Sequence, residues 1–227
     1  MTEKQNISGM RISYDKSQLL ENDLANNPLD QFNIWLEEVV ALGPSVVIEP
    51  NAMVLATSDK HGVVTSRSVL LKGIDERGLS FYTNYGSRKA QGMEANPNVS
   101  VTFPWYPLHR QISVVGSVTK LSRDESEEYF RSRPHKSQLG ALASNQSEEI
   151  TSRAVVEDVM AELEVKYPEG TTVPMPDFWG GYLITVHSME FWQGRQSRLH
   201  DRLRFIKTGT DTDLSASRAW KVIRVSP

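Results

Sequence analysis

Between residues 52 and 121 the chain breaks into short β-rich runs divided by turn residues, and this alternation limits the fold more than any other feature. Runs at 52–57 and 63–72 flank Asp59-Lys60-His61-Gly62, and 79–83 follows Asp75-Glu76-Arg77-Gly78. Runs at 99–103 and 111–121 continue the series, and closely spaced strands with Gly-containing turns build antiparallel sheets or barrels. Further strand-like runs at 181–192, 202–207 and 220–225 follow Pro174 and Pro176. Helical patterns occupy the intervals. Asn27-Pro28 opens a stripe of Leu29, Phe32, Trp35, Leu36, Val39 and Val40 that ends near Gly43-Pro44. Residues 87–95 form a short helix with Ser87 as its cap, and Ser122-Arg123-Asp124-Glu125 is a capping box. Residues 147–167 carry Val156, Val159, Met160 and Leu163 on one helical stripe. Strands, then helices, then returning strands predict an α+β antiparallel barrel with flanking helices rather than alternating βαβ units.

At 227 residues the chain can sustain one compact core. The first 25 residues are polar and irregular, which reads as a mobile arm before a single domain over 26–227. The absence of cysteine excludes a disulfide scaffold, a zinc finger, an iron–sulfur cluster and a thiol nucleophile. Five histidines show no metal-ligand spacing, so no metal is expected. The net charge of −3 argues against a uniformly basic nucleic-acid surface, and no apolar run approaches a membrane span. With no signal-like stretch at the start, a cytoplasmic location is expected, and Asn-X-Ser at Asn6, Asn98 and Asn145 is then coincidental. Neither G-x-G-x-x-G nor a P-loop motif occurs.

The informative charge is local. Arg88-Lys89 would sit in the first turn of a helix, beside the positive end of its dipole. A phosphate there would reverse that cost, because backbone N–H groups and both side chains converge on it; the alternative is two solvated surface cations. Arg67 and Lys72 lie five apart in an apolar run, hence on opposite faces of a regular strand. Arg195, Arg198, Arg202, Arg204 and Lys207 face only Asp201 between residues 191 and 207. Arg198, His200 and Arg202 alternate, so an extended backbone would project them to one side and hold the imidazole neutral, as an acceptor. Tyr129, Arg133 and Ser137 recur every four residues, a helical ledge suited to a phosphate monoester, although Pro134 interrupts it. These clusters predict two phosphorylated ligands and chemistry supplied by a cofactor that residue types alone do not name.

The run Arg67-Ser68-Val69-Leu70-Leu71-Lys72, Phe81-Tyr82-Thr83-Asn84 and Gly86-Ser87-Arg88-Lys89 resembles the pyridoxine (pyridoxamine) 5′-phosphate oxidase family. So do Phe103-Pro104-Trp105, Arg110-Gln111, the run from Tyr129 to Pro134, Ser137-Gln138-Leu139-Gly140 and Asn145-Gln146-Ser147. Phe178-Trp179-Gly180-Gly181, the run from Glu190 to Gly194, Arg198-Leu199-His200-Asp201-Arg202 and the terminal Arg224-Val225-Ser226-Pro227 complete it, in order from about Met10 onward. The resemblance implies an FMN-binding split barrel acting as a homodimer, with each FMN held between subunits. It assigns FMN to Arg67, Ser68, Val69, Leu70, Leu71, Lys72, Tyr82, Thr83, Arg88, Lys89, Gln111, Gln146, Ser147, Trp192 and Arg202. It assigns the substrate phosphate to Lys72, Tyr129, Arg133 and Ser137, the pyridine ring to Arg198 and His200, and closure over the site to Arg11 and Tyr14. The implied catalytic pair is Arg198 and His200. The implied reaction passes a hydride from substrate C4′ to flavin N5 and regenerates the flavin with O2, giving H2O2. Two alternatives remain: a split-barrel flavin reductase using a nicotinamide cofactor, and a non-catalytic FMN or pyridoxal-phosphate carrier.

Overall fold

The computed structural model describes residues 7–9, 12–14 and 17–227. Among the described residues, nine strands form one antiparallel sheet with five α-helices around it. The strands are β1 (Ala52–Ser58), β2 (Val64–Leu70), β3 (Gly73–Asp75), β4 (Gly78–Asn84), β5 (Asn98–Trp105), β6 (Arg110–Lys120), β7 (Trp179–Gln193), β8 (Asp201–Lys207) and β9 (Trp220–Arg224). The helices are α1 (Pro28–Ala41), α2 (Arg88–Ala95), α3 (Arg123–Ser132), α4 (His135–Ala143) and α5 (Ala154–Lys166).

The main path runs β2-β1-β5-β6-β7-β4-β3, and β8 and β9 extend from β7. The two ends of that path adjoin, because only Leu71 and Lys72 separate β2 from β3. The Leu71 N–H donates to the Asn51 carbonyl at 2.9 Å, and the Lys72 N–H donates to Ser80 O at 2.8 Å. Two residues thus carry the chain from pairing beside β1 to pairing beside β4, which draws the sheet toward closure. β7 is the shared wall. Its first six residues pair with β4 and its last six with β8, while β6 runs along most of it, and that division splits the barrel.

Alternation explains the core. Met53, Leu55, Val99, Val101, Phe103, Ile112 and Val114 face inward and are at most 4 % exposed. In α1, Asn27 caps the helix by accepting the Asp30 N–H at 2.8 Å, and Pro28 occupies the first turn. The Phe32, Trp35 and Val39 stripe is buried, with Phe32 edge-on to Phe103 and Trp35 edge-on to Phe191. Each aromatic contributes on the order of 2–3 kcal/mol by leaving water. A smaller core of Phe130, Leu139, Val173, Met175 and Trp179 joins α3 and α4 to the start of β7.

Three sequence expectations change. The helix expected over 147–167 begins only at Ala154, because Ser147 adopts a left-handed φ of 78° and residues 144–153 form a connecting segment. In α5, Met160 and Leu163 pack on the small core while Val159 is exposed. Ser87 precedes α2, but its hydroxyl makes no cap and instead accepts from Lys89 Nζ. The expected ledge is not one helix: α3 ends at Ser132, Arg133 is extended, and Pro134 starts α4.

Gly116 marks the bulge where β6 pairing skips His187 on β7. A Cβ there would collide with the Thr185 carbonyl oxygen, which is backbone and has no room to withdraw. Gly116→Ala is expected to cost about 2–4 kcal/mol, read as a lower midpoint in urea unfolding; an unchanged midpoint would mean the two strands part freely here.

Candidate functional site

The described residues form two separate clusters. The first surrounds a cavity of about 620 Å³ lined by Lys72, Tyr82, Thr83, Tyr129, Arg133, Ser137 and Gln146, with Val69 and Leu70 from β2. β2 supplies the edge, the Leu71–Lys72 crossing the floor, and the α3–α4 junction the far wall. Tyr82, Tyr129 and Trp179 stack, with Tyr82 and Tyr129 centroids 3.9 Å apart. The Arg133 guanidinium lies 4.8 Å from the Trp179 ring centroid. Arg133 Nη1 is buried without a hydrogen-bond partner, and burial holds the guanidinium below its usual pKa. The broken helix therefore builds the ledge after all: Pro134 turns the chain so that Tyr129, Arg133 and Ser137 reach one cavity.

Behind this cavity, Lys89 is only 8 % exposed. Its ammonium donates to Gln146 Oε1 at 2.8 Å, Thr83 Oγ1 at 3.0 Å and Ser87 Oγ at 3.2 Å, all neutral acceptors. Burial, reinforced by Arg67, pulls its pKa down to about 8. Arg67 donates to Leu55 O, Thr57 and Thr65, and its pKa is lowered by burial and by Arg88. Arg88 is exposed, and its backbone N–H donates to Ser147 Oγ. The left-handed Ser147 and the loop around it are what bring Gln146 and Ser147 to α2. Among the described residues, none of Arg67, Lys72, Arg88, Lys89 and Arg133 forms an ion pair. Clustered cations with neutral partners, one bearing an orphaned N–H, suit two phosphate groups.

The second cluster occupies the other end of β7. Gln111, Trp192 and Arg202 stand opposite one another across β6, β7 and β8. Gln111 donates to Ser113 Oγ. The His200 ring lies 4.6 Å from Trp192 and 5.8 Å from Tyr14. His200 Nδ1 accepts the Arg195 N–H at 3.1 Å, and burial followed by Arg198 lowers its pKa, so at neutral pH the ring is uncharged with its proton on Nε2. Neutrality was expected, but the acceptor nitrogen is consumed inside the fold and the remaining nitrogen donates. Arg198 is exposed, and with Ser197 it adopts left-handed φ, 63° and 55°, at roughly 1–3 kcal/mol each. That turn breaks the expected alternation of Arg198, His200 and Arg202.

Arg202 is also occupied. Its Nε and Nη2 donate to Glu190 at 3.0 and 3.2 Å, and Nη1 donates to the Ser226 carbonyl. Glu190, 7 % exposed, also accepts from Arg204. Burial opposes its charge, yet the two guanidinium groups hold its carboxyl below the ordinary range. Charge counting from residue 191 onward missed this partner by one position, although its place in the strand beside Trp192 was the available signal. His109, beneath the Tyr14 ring at 4.5 Å, was likewise not singled out. Arg11 lies outside the described residues.

Fold and site define an antiparallel split barrel with cations that lack a carboxylate partner among the described residues on one flank and an aromatic–imidazole cluster at the far end of its longest strand. Residues 43–167 match the family described as pyridoxamine 5′-phosphate oxidase, and residues 179–227 match the pyridoxine 5′-phosphate oxidase C-terminal dimerisation region. The chain belongs to the pyridoxamine 5′-phosphate oxidase family. It is 48% identical over 221 residues to a pyridoxine/pyridoxamine 5′-phosphate oxidase of Streptomyces avermitilis, covering 97% of this chain and 96% of that one. A protein of the same name from Rhodopirellula baltica is 50% identical over 218 residues, covering 96% and 95%. Among solved structures, PhzG from Burkholderia lata in complex with tetrahydrophenazine-1-carboxylic acid superposes with a TM-score of 0.83 at 29% identity, covering 95% of this chain and 100% of that one.

Lys89 gives a pH signature. Its folded pKa of about 8 lies below the 10.5 of a free lysine, so the unfolded chain binds the extra proton between those values. Relative to Lys89→Met, the ligand-free protein is expected to gain stability as pH rises from 8 to 10.5, measured as the difference in melting temperature. Inorganic phosphate beside Lys89 should keep it charged and shift that gain upward. A flat difference would place Lys89 in water.

Proposed function

We propose that this chain is an FMN-dependent oxidase that converts pyridoxine 5′-phosphate or pyridoxamine 5′-phosphate to pyridoxal 5′-phosphate. In this reading the substrate loses two electrons and two protons overall, one hydrogen from C4′ and one from its hydroxyl or amine, and O2 takes up both electrons and both protons to become H2O2. The alcohol yields the aldehyde directly. The amine yields an imine that water hydrolyses, releasing ammonia. The observation that carries the reading is Arg133, half-buried over Trp179 with a buried, unpartnered N–H in a cavity it shares with Lys72, Tyr129 and Ser137.

FMN, when bound, supplies the two-electron acceptor that passes the electrons on to oxygen. Arg67, Arg88 and Lys89 would hold its phosphate, with Thr83, Gln146 and Ser147 already beside them. Ser68, Val69, Leu70, Leu71 and Tyr82 would line its path along β2 and β4. Lys72, Tyr129, Arg133 and Ser137 bind the substrate phosphate, which fixes the pyridine ring at one distance from that tether. Arg198 and His200 cover the ring from the other face. The neutral His200 donates through Nε2, and Arg198 offers a guanidinium unengaged among the described residues, so both stabilise negative charge developing on substrate oxygen or nitrogen.

One copy cannot supply both clusters to one ligand pair. Trp179 of the first and Trp192 of the second lie thirteen residues apart on β7, up to roughly 40 Å of strand. The cavity beside Arg133 shares no lining residue with the pocket that Tyr14, Trp192, Arg198 and His200 line. A homodimer that sets the far cluster of one copy against the cation flank of the other completes each site, in line with the matched dimerisation region. Gln111, Trp192 and Arg202 would then reach FMN across that interface.

The test is spectroscopic. Purified protein should carry flavin absorbance, and pyridoxine 5′-phosphate with air should generate the pyridoxal 5′-phosphate band together with stoichiometric peroxide. Flavin-loaded protein that is bleached by NADPH, yet forms no pyridoxal phosphate, would indicate a flavin reductase instead.

A further inference from the structure

Resting on the oxidase reading, we infer that Arg224 and Asp201 are positioning residues that clamp the amino-terminal segment so that Tyr14 covers His200. Arg224, in β9, donates Nε and Nη2 to the two oxygens of Glu21 at 2.7 and 2.9 Å, and Nη2 also donates to the Leu19 carbonyl. Its Nη1 reaches Asp201 Oδ1 at 2.8 Å. Asp201 Oδ2 accepts the Leu19 N–H at 3.1 Å and Arg195 Nη1 at 3.2 Å. Both polar groups of the Leu19 backbone are therefore held, and its side chain is 3 % exposed.

The same network touches the candidate site. Arg195, held through its guanidinium by Asp201, supplies the backbone N–H that fixes the His200 tautomer. Tyr14 contacts His109, Trp192 and His200. Gly194 permits that seat, since a Cβ would lie 3.0 Å from Tyr14 ring atoms and 3.1 Å from His109 Cβ. Tyr14 and Leu19 lie five positions apart, a reach of at most about 18 Å. Anchoring Leu19 thus confines Tyr14 near His200 and lowers the entropy lost when it covers the ring. Four charged groups meet here, Glu21, Arg195, Asp201 and Arg224. Glu21 is exposed and its carboxyl is held down at about 2 by the Arg224 hydrogen bonds, so it stays charged throughout the working pH range.

The experiment compares Arg224→Ala, Arg224→Lys and Glu21→Ala in the FMN-loaded enzyme. Readouts are KM and kcat for pyridoxine 5′-phosphate, FMN content, and the rate of trypsin cleavage after Lys16. The clamp predicts a KM raised about tenfold in Arg224→Ala and a few-fold in Glu21→Ala, kcat changed less, FMN content retained, and faster cleavage in both. Arg224→Lys should recover part of the KM, and Glu21→Ala should add little once Arg224 is Ala. Unchanged KM, or unchanged cleavage, in both alanine variants overturns the clamp. Should Arg224→Ala lose FMN through unfolding, Glu21→Ala, altered only on the arm side, decides. A wild type that forms no pyridoxal phosphate refutes the oxidase reading, and the cleavage rates alone then decide the clamp.

Discussion

The structure turns on cations taken out of water without a counter-charge. Arg133 keeps an unpartnered N–H above Trp179, and Lys89 is surrounded by neutral oxygens that stabilise its ammonium less than a carboxylate would. Each arrangement is costly to the ligand-free fold and favourable to an anion. The rest of the molecule supplies the means of holding them there. The Pro134 break aims Arg133, the left-handed Ser147 aims Gln146, and the Leu71–Lys72 crossing brings β2 beside β4 so that both cation groups share one flank. By contrast, Arg202, Arg204, Arg195 and Arg224 are neutralised by Glu190, Asp201 and Glu21. In the proposed reading, the uncompensated cations are the ones that take the phosphates.

β7 links these two kinds of charge. Its first half seats Trp179 under Arg133, and its second half carries Glu190 and Trp192 beside the arginine–histidine cluster. A single strand too long for one ligand to span makes a composite site of two copies a geometric consequence of the proposed chemistry. The half-exposed alternation of β2, an edge strand that carries Arg67, leaves room for such a neighbour.

Much of this was legible in the sequence where one local rule governed. The β-rich runs between turn residues located the described strands to within about two residues, except the short β3, and Asn27-Pro28 and the Ser122–Glu125 box located two helix starts. Arg88-Lys89, singled out for its place at a helix start, is followed in the fold by an ammonium held only by neutral oxygens. Local rules failed where tertiary contacts chose the backbone. The Val156–Leu163 stripe could not show that 147–153 would stay irregular, since that depends on Gln146 meeting Lys89, 57 residues away. The Arg198–His200–Arg202 alternation assumed a strand, and the left-handed turn at Ser197 and Arg198 removed it. Glu190 was hidden because its two partners lie on a neighbouring strand, which no spacing within one segment displays.

The central claim is that Lys89 and Arg133 serve two different phosphates. Equilibrium titration of FMN into apoprotein, followed by steady-state KM for pyridoxine 5′-phosphate, separates them in the two single variants. The account predicts that Lys89→Ala weakens FMN binding tenfold or more with a smaller change in KM once flavin is saturating. It predicts that Arg133→Ala raises KM tenfold or more with FMN affinity nearly unchanged. Equal losses of FMN affinity in both variants would contradict it, because the two cations would then serve one anion.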